Sequence, residues 1–373
     1  MRDSPAKLLI VSHVVHYTHG GRLHAYGPYA REIEIWADLF PAVIIAAPCR
    51  HEPPPGDCEP FTRPNISIMP QRETGGTTLK AKLHQAFSLP FLIRDLARAM
   101  RRADAIHVRC PGSLGLLGAA MARCFSPFRI AKYAGQWNGY PGEPWTVRLQ
   151  RMVLRSWWWG APVTVYGHWP GQPEHVIPFF TSVLTADQIE RARTSAQNKT
   201  FRQPLRILYV GRLSRSKHVD TLISSVSRLR ATGIPAMCTI VGDGEMRPAL
   251  ERQARELNLA RDVLFAGGVE FERVLEFYEQ SDVLVLVSET EGWPKAIAEG
   301  MAFGLVCIGS DRGLVPQMLG DGRGIVVPPG DVDALTIALK EIASCPEKYR
   351  DMSARASAWA QQYSLESLRG ALR

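Results

Sequence analysis

Short runs of β-branched and apolar residues alternate with helix-type patterns along the whole chain, and this alternation constrains the fold more than any other feature. Parallel strands need long crossovers, which are usually helices, so repeated strand–helix alternation indicates parallel sheets. The first half contains five strand-type runs: KLLIVS, AVIIAA, AIHVR, FRIAKY and APVTVY. The second half contains five more: LRILYVG, AMCTIVG, DVLFAG, DVLVLV and LVCIGS. The sequence therefore predicts an α/β protein with two doubly wound, Rossmann-like domains.

The chain length also indicates two domains, because 373 residues exceed what one hydrophobic core usually serves. The polar segment TSAQNKTFRQP, residues 194–204, is the predicted linker. We therefore predict a first domain over residues 1–199 and a second over residues 200–360. Residues 48–64 are rich in proline and predict an exposed loop.

The net charge of +8 is concentrated in the first half of the chain. Residues 1–199 hold 23 Lys and Arg against 14 Asp and Glu, whereas residues 200–373 hold 21 against 22. Two segments place arginines at helical spacing, and the second runs into three tryptophans: Arg94, Arg98, Arg101, Arg148, Arg151, Arg155, Trp157, Trp158 and Trp159. Basic amphipathic helices with aromatic residues suit an anionic membrane surface. The competing interpretation is a solvated basic face with the tryptophans in the core.

The sequence also limits the other partners and the cellular location. No nucleic-acid recognition motif accompanies the basic segments, so we expect no nucleic-acid partner. Seven scattered cysteines without a CxxC pair favour reduced thiols in a cytoplasm and argue against a zinc site. No stretch reaches the ~20 apolar residues that span a bilayer, and the apolar run near the N-terminus is too short for a signal peptide. We expect a cytoplasmic protein, peripheral at most to the inner membrane face.

The segment TEGWPKAIAEG, residues 290–300, places two glutamates eight positions apart around a predicted helix start. Proline is tolerated at the first helical position, so Pro294 marks where the helix should begin. The free N–H groups of that turn favour an anion, with Glu291 beside it and Glu299 inside the helix. Two interpretations stay open, because Lys295 and Glu299 also have the spacing of an ordinary surface ion pair.

Other candidate residues follow neighbouring strands of the second half. Gly211 ends one strand and is followed by Arg212 and Lys217, which suit a diphosphate because both are cationic. The next strand ends in the Gly242–Gly244 turn, for which an ordinary tight turn is the competing interpretation. Carboxyl ends of parallel strands meet at one edge of a sheet, so these loops should lie together.

These loops, in this order and spacing, resemble the second half of retaining GT-B glycosyltransferases of family 4, the glycosyl transferases group 1. The matching pieces are GRLSRSKHVDTLI, IVGDGEMRPALE, the segment from FAGGVE to EGMAFG with its E-x7-E pattern, and GIVVPPGDVDAL. The resemblance covers about residues 206–345. It implies two Rossmann-like domains facing each other across a cleft, the first binding the acceptor and the second the nucleotide sugar. The C-terminal segment 361–373 resembles the helix that crosses back to the first domain in this fold.

The resemblance also implies roles for single residues. Arg212 and Lys217 correspond to the pair that stabilises the leaving diphosphate, and Glu291 to the catalytic carboxylate near the transferred sugar. Glu299 corresponds to the acid that binds the ribose hydroxyls. The donor-binding residues implied in this way are Gly20, Gly21, Gly211, Gly242, Gly244, Val269, Glu270, Gly292, Trp293, Pro294 and Glu299.

The first half departs from the family pattern at one place. Many relatives carry a His-Asp step after the fourth or fifth strand, whereas this chain has Ala134 and Gly135 within IAKYAGQWNGY. Whether His107, His19 or His168 replaces the missing histidine is left open by the sequence.

The resemblance implies sugar transfer with retention of configuration and without a metal, because fixed cations stabilise the leaving group. The string DVD at 331–333 predicts a helix N-cap with a first-turn acid rather than a metal site. We expect no cofactor, and a UDP- or GDP-sugar as donor. The leading hypothesis is a bacterial hexosyltransferase of polysaccharide biosynthesis that acts on a lipid-linked, polysaccharide or glycolipid precursor at the membrane. A soluble small-molecule acceptor, or a non-catalytic relative that binds a nucleotide sugar or anionic lipid, are the competing hypotheses.

Overall fold

The computed structural model of the chain describes residues 7–73, 79–182, 184–201 and 203–373, and their side chains except those of 79–86. The chain divides into two compact units between Phe180 and Thr181. This division precedes the boundary predicted at 199/200. Segment 194–204 does not begin as a linker, because its first residues are the end of helix α5 (Ala186–Gln197), which packs within the second unit.

A capping box accounts for the start of α5. The Thr185 side chain accepts a hydrogen bond from the Gln188 backbone N–H at 3.2 Å, and Gln188 Oε1 accepts one from the Thr185 N–H at 3.0 Å. This Thr-x-x-Gln pattern marks a helix start and is readable in the sequence. The polar composition that suggests a linker therefore belongs to the exposed face of a capped helix.

The described part of the first unit has ten strands and four helices around one mainly parallel sheet. The strands are β1 (Lys7–Val11), β2 (His16–His19), β3 (Arg22–Tyr26), β4 (Ala42–Arg50), β5 (Cys58–Pro60), β6 (Ile66–Gln71), β7 (Ala105–Cys110), β8 (Phe128–Tyr133), β9 (Val163–Tyr166) and β10 (Val176–Phe179). The helices are α1 (Gly27–Leu39), α2 (Leu79–Met100), α3 (Ser113–Met121) and α4 (Trp145–Arg155). The sheet order is β10-β9-β8-β7-β1-β4-β2-β3-β5, with β6 also paired to β4.

One feature of the first unit was not predicted from the sequence, and another differs from its prediction. The Gly20–Gly21 pair forms the turn of the β2–β3 hairpin, where both glycines have positive φ angles of 58° and 73°. Glycine is favoured there because such a two-residue turn requires φ > 0. The proline-rich segment 48–64 is not wholly a loop, since β4 continues to Arg50 and β5 pairs antiparallel with β3. Pro60 is tolerated because β5 is the edge strand.

The second unit contains a six-stranded sheet that is parallel throughout its described pairs. Its strands are β11 (Leu205–Val210), β12 (Ala236–Val241), β13 (Val263–Gly267), β14 (Val283–Leu286), β15 (Val306–Ser310) and β16 (Ile325–Val327). The order is β13-β12-β11-β14-β15-β16, the doubly wound arrangement that the alternation predicts. After α5 the helices are α6 (Val219–Ala231), α7 (Arg247–Glu256), α8 (Phe271–Gln280), α9 (Lys295–Ala302), α10 (Val315–Leu319), α11 (Val332–Ser344), α12 (Arg350–Ala360) and α13 (Leu365–Leu372).

The C-terminal helices pack within the second unit. The Leu365 N–H donates to the Leu184 carbonyl at 2.8 Å, and Ser182 Oγ donates to the Tyr363 carbonyl at 2.7 Å. The expectation that residues 361–373 cross back to the first domain stays a prediction. Within the described residues, no helix has the length and apolar character needed to cross a membrane.

Candidate active site

The strand order of the second sheet reverses between β11 and β14, and the candidate residues gather at this reversal point. From β11 the chain winds outward through β12 and β13, and from β14 it winds the other way. In open α/β sheets, ligands bind beyond the carboxyl ends of the strands at such a point. Gly211, Arg212 and Lys217 follow β11, and Glu291 follows β14.

Three contacts tie the loop after β11 to the loop after β14. The Glu289 N–H donates to the Ser216 carbonyl at 2.9 Å. Lys217 Nζ lies 2.6 Å from Glu291 Oε1, and His218 Nε2 lies 3.2 Å from Glu289 Oε1. The Lys217 and Glu291 side chains are 24% and 10% exposed, so this ion pair is mostly shielded from water. The two loops therefore form one structural element.

The predicted donor-binding glycines first serve the packing of neighbouring loops. A Cβ atom on Gly242 would lie 2.0 Å from the Gly211 carbonyl oxygen, and one on Gly244 would lie 2.4 Å from the Leu213 carbonyl oxygen. No larger residue fits at either position without moving backbone. The Leu213 N–H also donates to the Asp243 carbonyl at 2.9 Å. The glycines thus hold the loop that carries Arg212 against its neighbour, and their donor-binding role stays a prediction.

Arg212 combines a fixed backbone with an exposed side chain. Tyr209 is buried, and its hydroxyl donates to the Arg212 carbonyl at 2.9 Å. Burial, followed by the negative charge of Glu291, raises the pKa of Tyr209, so the hydroxyl stays a donor. The Arg212 guanidinium is 78% exposed and lies 3.8 Å from Glu245. Sequence reasoning missed Tyr209, which it treated only as part of a buried strand.

Helix α9 begins one residue later than predicted. Pro294 occupies the N-cap position, with φ −73° and ψ 90°, and Lys295 is the first helical residue. Gly292 and Trp293 precede it. Trp293 stacks on Trp359 with ring centroids 6.2 Å apart and meets the edge of Tyr363 at 5.4 Å. These aromatic contacts hold the loop that contains Glu291 against α12. No local sequence pattern predicts them.

Glu299 is a buried carboxylate and does not lie on the surface. The residue is 6% exposed, and its Oε2 accepts a hydrogen bond from the Tyr278 hydroxyl at 2.8 Å. Burial and the Glu299 charge raise the pKa of Tyr278. Glu299, Trp293 and Lys295 line a cavity of about 10 Å³. A cavity of that size holds about one water.

The remaining predicted donor-binding residues occupy two different places. Val269 and Glu270 follow β13 and directly precede α8, at the same sheet edge as Gly242. Gly20 and Gly21 lie in the first unit, at an exposed hairpin tip. The roles implied for these four residues stay predictions.

The basic segments are only partly available to an external partner. Arg151 is paired with Glu143, whose side chain is 1% exposed, and Trp159 is fully buried. Arg151 is therefore not a surface charge, contrary to the prediction. Arg94, Arg98 and Arg148 have exposed side chains, and Arg101 and Arg155 are exposed as well.

His107, the central histidine of β7, is an unsuitable replacement for the missing histidine of the His-Asp step. It is fully buried against Trp36, with ring centroids 4.8 Å apart, and neither ring nitrogen has a hydrogen-bond partner. Burial, together with the Arg109 charge, lowers the pKa of His107 to about 3. His19 and His168 are exposed. The burial of His107 therefore makes it unsuitable for contact with a sugar.

A group that we call the buried triad was missed by sequence reasoning. Glu32 on α1 accepts a hydrogen bond from Arg109 at 2.6 Å and lies 2.8 Å from Lys132 Nζ. Arg109 and Lys132 are direct neighbours across the β7–β8 pair. Burial opposes ionisation of Glu32, but the two cations lower its pKa. Glu32 thus neutralises two charges that would otherwise repel each other inside the unit.

The DVD string behaves as predicted. Asp331 Oδ1 accepts a hydrogen bond from the Ala334 N–H at 2.9 Å and caps α11, and Asp333 lies in the first turn beside Arg228. A search of the described residues finds no group of three His, Cys, Asp or Glu side chains placed to hold a metal ion. The capping role confirms the N-cap prediction.

Comparison with known proteins gives a family and a fold. Residues 190–359 match the family described as glycosyl transferases group 1. The putative glycosyltransferase EpsF of Bacillus subtilis is 33% identical over 285 residues, which cover 69% of this chain and 71% of EpsF. A GDP-mannose-dependent α-(1-6)-phosphatidylinositol monomannoside mannosyltransferase of Mycolicibacterium smegmatis is 28% identical over 196 residues, about half of each chain.

Solved structures agree along nearly the whole chain. The crystal structure of Anabaena HepE in complex with UDP and glucose superposes with a TM-score of 0.71 and 14% identity, over 99% of this chain and 98% of HepE. Identity this low supports a shared fold and no more. The superposition covers nearly the full length of both chains, so the shared fold includes both Rossmann-like units of this chain.

Proposed function

Since the chain belongs to the glycosyl transferases group 1 family and has a GT-B fold, we propose that it is a retaining hexosyltransferase of family 4. The donor is a UDP- or GDP-sugar. The acceptor is a lipid-linked, polysaccharide or glycolipid precursor at the cytoplasmic face of a bacterial membrane. The reaction needs no metal ion or other cofactor.

One observation carries this proposal. Lys217 and Glu291 follow the two strands at the reversal point and meet at 2.6 Å, while Arg212 on the same loop as Lys217 has a 78% exposed side chain. The site thus combines a fixed lysine–carboxylate pair with a guanidinium in solvent. A guanidinium and an ammonium together match the charge and geometry of a diphosphate.

The proposed reaction uses these residues without a metal. The bond from the sugar C1 to the diphosphate oxygen breaks, its electron pair stays on the diphosphate, and Arg212 and Lys217 stabilise the charge that develops. The acceptor oxygen bonds to C1 on the same face, and its proton passes to the leaving phosphate oxygen. In this proposal Glu291 stabilises the positive charge that develops on the sugar. The N–H groups at the start of α9 add a favourable dipole.

The relatives support a nucleotide-sugar donor. The mannosyltransferase of Mycolicibacterium smegmatis is named for its dependence on GDP-mannose, and HepE was crystallised with UDP and glucose. Both names fit a site built for a nucleoside diphosphate. They favour UDP and GDP as the first donor classes to test.

Two exposed stripes in the first unit support a membrane-bound acceptor. The α2 stripe consists of Phe87, Phe91, Arg94, Arg98 and Arg101, spaced at intervals of four and three residues. All five are exposed, and Phe87 is 78% exposed. Residues at this spacing share one helix face. Apolar rings and arginines on one exposed face are the composition of an interfacial helix.

The α4 stripe has the same character. It consists of Trp145, Arg148, Met152 and Arg155, again at intervals of three and four residues. Trp145 and Met152 are 73% and 55% exposed. Exposed large apolar side chains are common singly, but a stripe of them with arginines indicates a surface that binds lipid headgroups and the upper acyl region.

Vesicle flotation tests the membrane part of the proposal. We expect the protein to float with phosphatidylglycerol vesicles but not with phosphatidylcholine vesicles, and a Trp145→Ser, Arg148→Glu variant to stay in the pellet. Ile337→Ser is the matched control, because Ile337 is 59% exposed in the second unit. Arg151 is left unchanged, since reversing it would break its pair with Glu143. Equal flotation of the variant and the wild type would reject the α4 stripe as a membrane surface.

Proton NMR of the reaction tests the transfer itself. A thermal-shift screen of UDP-, GDP-, ADP- and dTDP-sugars, with EDTA present, first identifies the donor. The anomeric signal of the product, formed with a lipid extract as acceptor or by slow donor hydrolysis, is then compared with that of the donor. We expect the same anomeric configuration in both. An inverted product, or turnover that stops in EDTA, would contradict the proposal.

A further inference from the structure

The connection between β9 and β10 is unusually short for parallel neighbours. The two strands run parallel, and the nine residues 167–175 that join them, GHWPGQPEH, form no helix. Parallel neighbours are usually joined by a dozen or more residues that include a helix covering the sheet. Here the loop leaves a cavity of about 320 Å³, which we call the edge cavity.

Apolar residues of the strands and polar residues of the loop line the edge cavity. Val165 and Pro178 are paired across the two strands, and Val176 lies two residues before Pro178, so all three share one sheet face. The loop contributes Trp169 and Gln172. An apolar floor with an aromatic ring and an amide at its wall is the usual composition of a small-molecule site.

The two side chains at the wall are held in place by hydrogen bonds. Trp169 Nε1 donates to the Tyr166 carbonyl at 2.7 Å, which fixes the plane of the indole. Gln172 Oε1 accepts a hydrogen bond from Trp137 Nε1 at 2.9 Å. Trp137 belongs to the segment AGQWNGY, where this chain departs from the His-Asp pattern. Trp137, close after Ala134 and Gly135, therefore supports the wall of the cavity.

The loop itself is anchored at two further points on α4. His175 Nε2 donates to the Leu154 carbonyl at 2.9 Å, and Arg155 donates to the Gly171 carbonyl at 3.2 Å. Pro173 restricts the backbone between these anchors, and Pro170 restricts it just before Gly171. A cavity whose walls are already fixed loses little entropy when a ligand binds.

We propose that the edge cavity binds one pyranose ring of the acceptor glycan, with the ring's C–H face against Trp169 and its hydroxyls towards Gln172. This inference rests on the proposed function, since it names part of the acceptor site. The volume lies at the small end of the range of about 300–1,000 Å³ typical of ligand pockets, which suits a single ring. The described residues that line the cavity include His168 but no Asp, Glu, Lys or Arg, so a neutral sugar fits better than a phosphate.

Fluorine NMR on protein labelled with 5-fluorotryptophan tests the inference directly. The chain has nine tryptophans, and Trp169→Phe assigns the Trp169 resonance. The probes are methyl α-glycosides of glucose, mannose and galactose, and free N-acetylglucosamine, with glycerol as the control solute. We expect at least one sugar to move the Trp169 resonance in a saturable way while leaving Trp157, which is 80% exposed, unchanged.

A second variant separates binding from folding. Trp169→Ala should weaken binding of the same sugar by about tenfold, which is typical for the loss of one central aromatic contact. Saturation-transfer NMR on the signals of the sugar measures this binding, because the variant no longer has the Trp169 resonance. Binding of the donor nucleotide should stay at the wild-type level. If nucleotide binding is intact and no sugar moves the Trp169 resonance at tens of millimolar, the inference is wrong and the proposed function stands. If no nucleotide sugar binds while a glycoside still moves that resonance, the proposed function fails and the edge cavity remains a sugar site.

Discussion

The two units each place one arginine, one lysine and one glutamate beside the ends of parallel strands, and the two groups differ mainly in exposure. In the buried triad of the first unit, the side chains of Glu32, Arg109 and Lys132 are 5%, 9% and 5% exposed. The second group, which we call the open triad, has exposures of 78% at Arg212, 24% at Lys217 and 10% at Glu291. The three residue types are therefore all buried in the first unit, whereas in the second unit the arginine is open to solvent.

This difference separates a structural role from a binding role. Glu32 already contacts both cations of its triad, so the group has no cation left over for a ligand in this structure. In the open triad Glu291 holds Lys217, whereas the Arg212 guanidinium is 78% exposed and lies 3.8 Å from the exposed Glu245. Charged residues near strand ends indicate a ligand site only when a cation remains accessible.

The largest effect should come from Glu32→Gln. The substitution leaves Arg109 and Lys132 buried beside each other without their carboxylate, and breaking a buried pair typically costs about 3–5 kcal/mol. Urea unfolding should show this loss in the free energy of unfolding. Glu291→Gln is the matched change in the open triad and should cost less than Glu32→Gln, because Lys217 keeps some contact with water and Arg212 is mostly exposed. Equal losses in the two variants would remove the distinction between the triads.

Arg212→Ala should have the converse profile. Its side chain is 78% exposed, so the free energy of unfolding should hardly change. Loss of one group that stabilises developing charge typically lowers kcat by about 10²–10³-fold. Steady-state kinetics with the identified donor measures this. Arg215→Ala, an exposed arginine three residues away, is the control and should keep wild-type kcat. A fall shared by both variants would point to a general charge effect.

Acid should unfold the first unit before the second. Burial lowers the pKa of His16 to about 4 and, with the Arg109 charge, that of His107 to about 3. Between these values and the unfolded value of 6.5 the unfolded chain binds more protons, so stability is lost as the pH falls through this window. The His16 shift alone corresponds to on the order of 3 kcal/mol. Hydrogen exchange at pH 7 and pH 5 should show faster opening in β1 and β7 than in β11 and β14. Uniform acceleration in both units would contradict this.

Tyr278→Phe tests Glu299, which is buried like the first triad but lies in the same unit as the second. Glu299 is as buried as Glu32 but lies in the same unit as Arg212. The variant removes the hydroxyl that bonds Glu299 and should lower the free energy of unfolding by about 1–3 kcal/mol. If Glu299 also binds the donor ribose, calorimetry should show weaker nucleotide binding as well. Unchanged nucleotide affinity would make Glu299 a purely structural residue.

The smallest effect is expected from Asp331→Ala. Loss of the α11 N-cap should cost about 1 kcal/mol, visible as a lower Tm. Nucleotide binding in EDTA should be unchanged, because Asp331 serves the helix and not a metal. A variant that binds nucleotide more weakly, with the difference abolished by EDTA, would show that the DVD string holds a cation.

Much of the fold follows from local sequence patterns. All ten strand-type runs form strands, because β-branched and apolar residues suit the buried strands of a parallel sheet. The division between the units was misplaced because a polar, capped helix resembles a linker in composition. The β2–β3 hairpin and β5 were missed because edge pairing depends on distant residues rather than on local propensity.

The site was only partly predictable for a similar reason. Lys217 and Glu291 are 74 positions apart, and their proximity was expected because the carboxyl ends of parallel strands meet at one edge of a sheet. Glu32 and Arg109 are 77 positions apart, and no motif marks them. Arg151 shows the opposite error, since its helical spacing suggested a surface charge while Glu143, in the preceding loop, removes it from the surface.

Calorimetric titration of UDP and GDP in EDTA tests the central claim, that the reversal point of the second sheet binds a nucleoside diphosphate without metal. Wild type, Lys217→Ala and the control Lys340→Ala, an exposed lysine on α11, are compared. The account predicts that one nucleotide binds wild type and the control equally and binds Lys217→Ala at least about tenfold more weakly, a loss of about 1.4 kcal/mol. Binding of neither nucleotide, or equal binding to all three proteins, would contradict it.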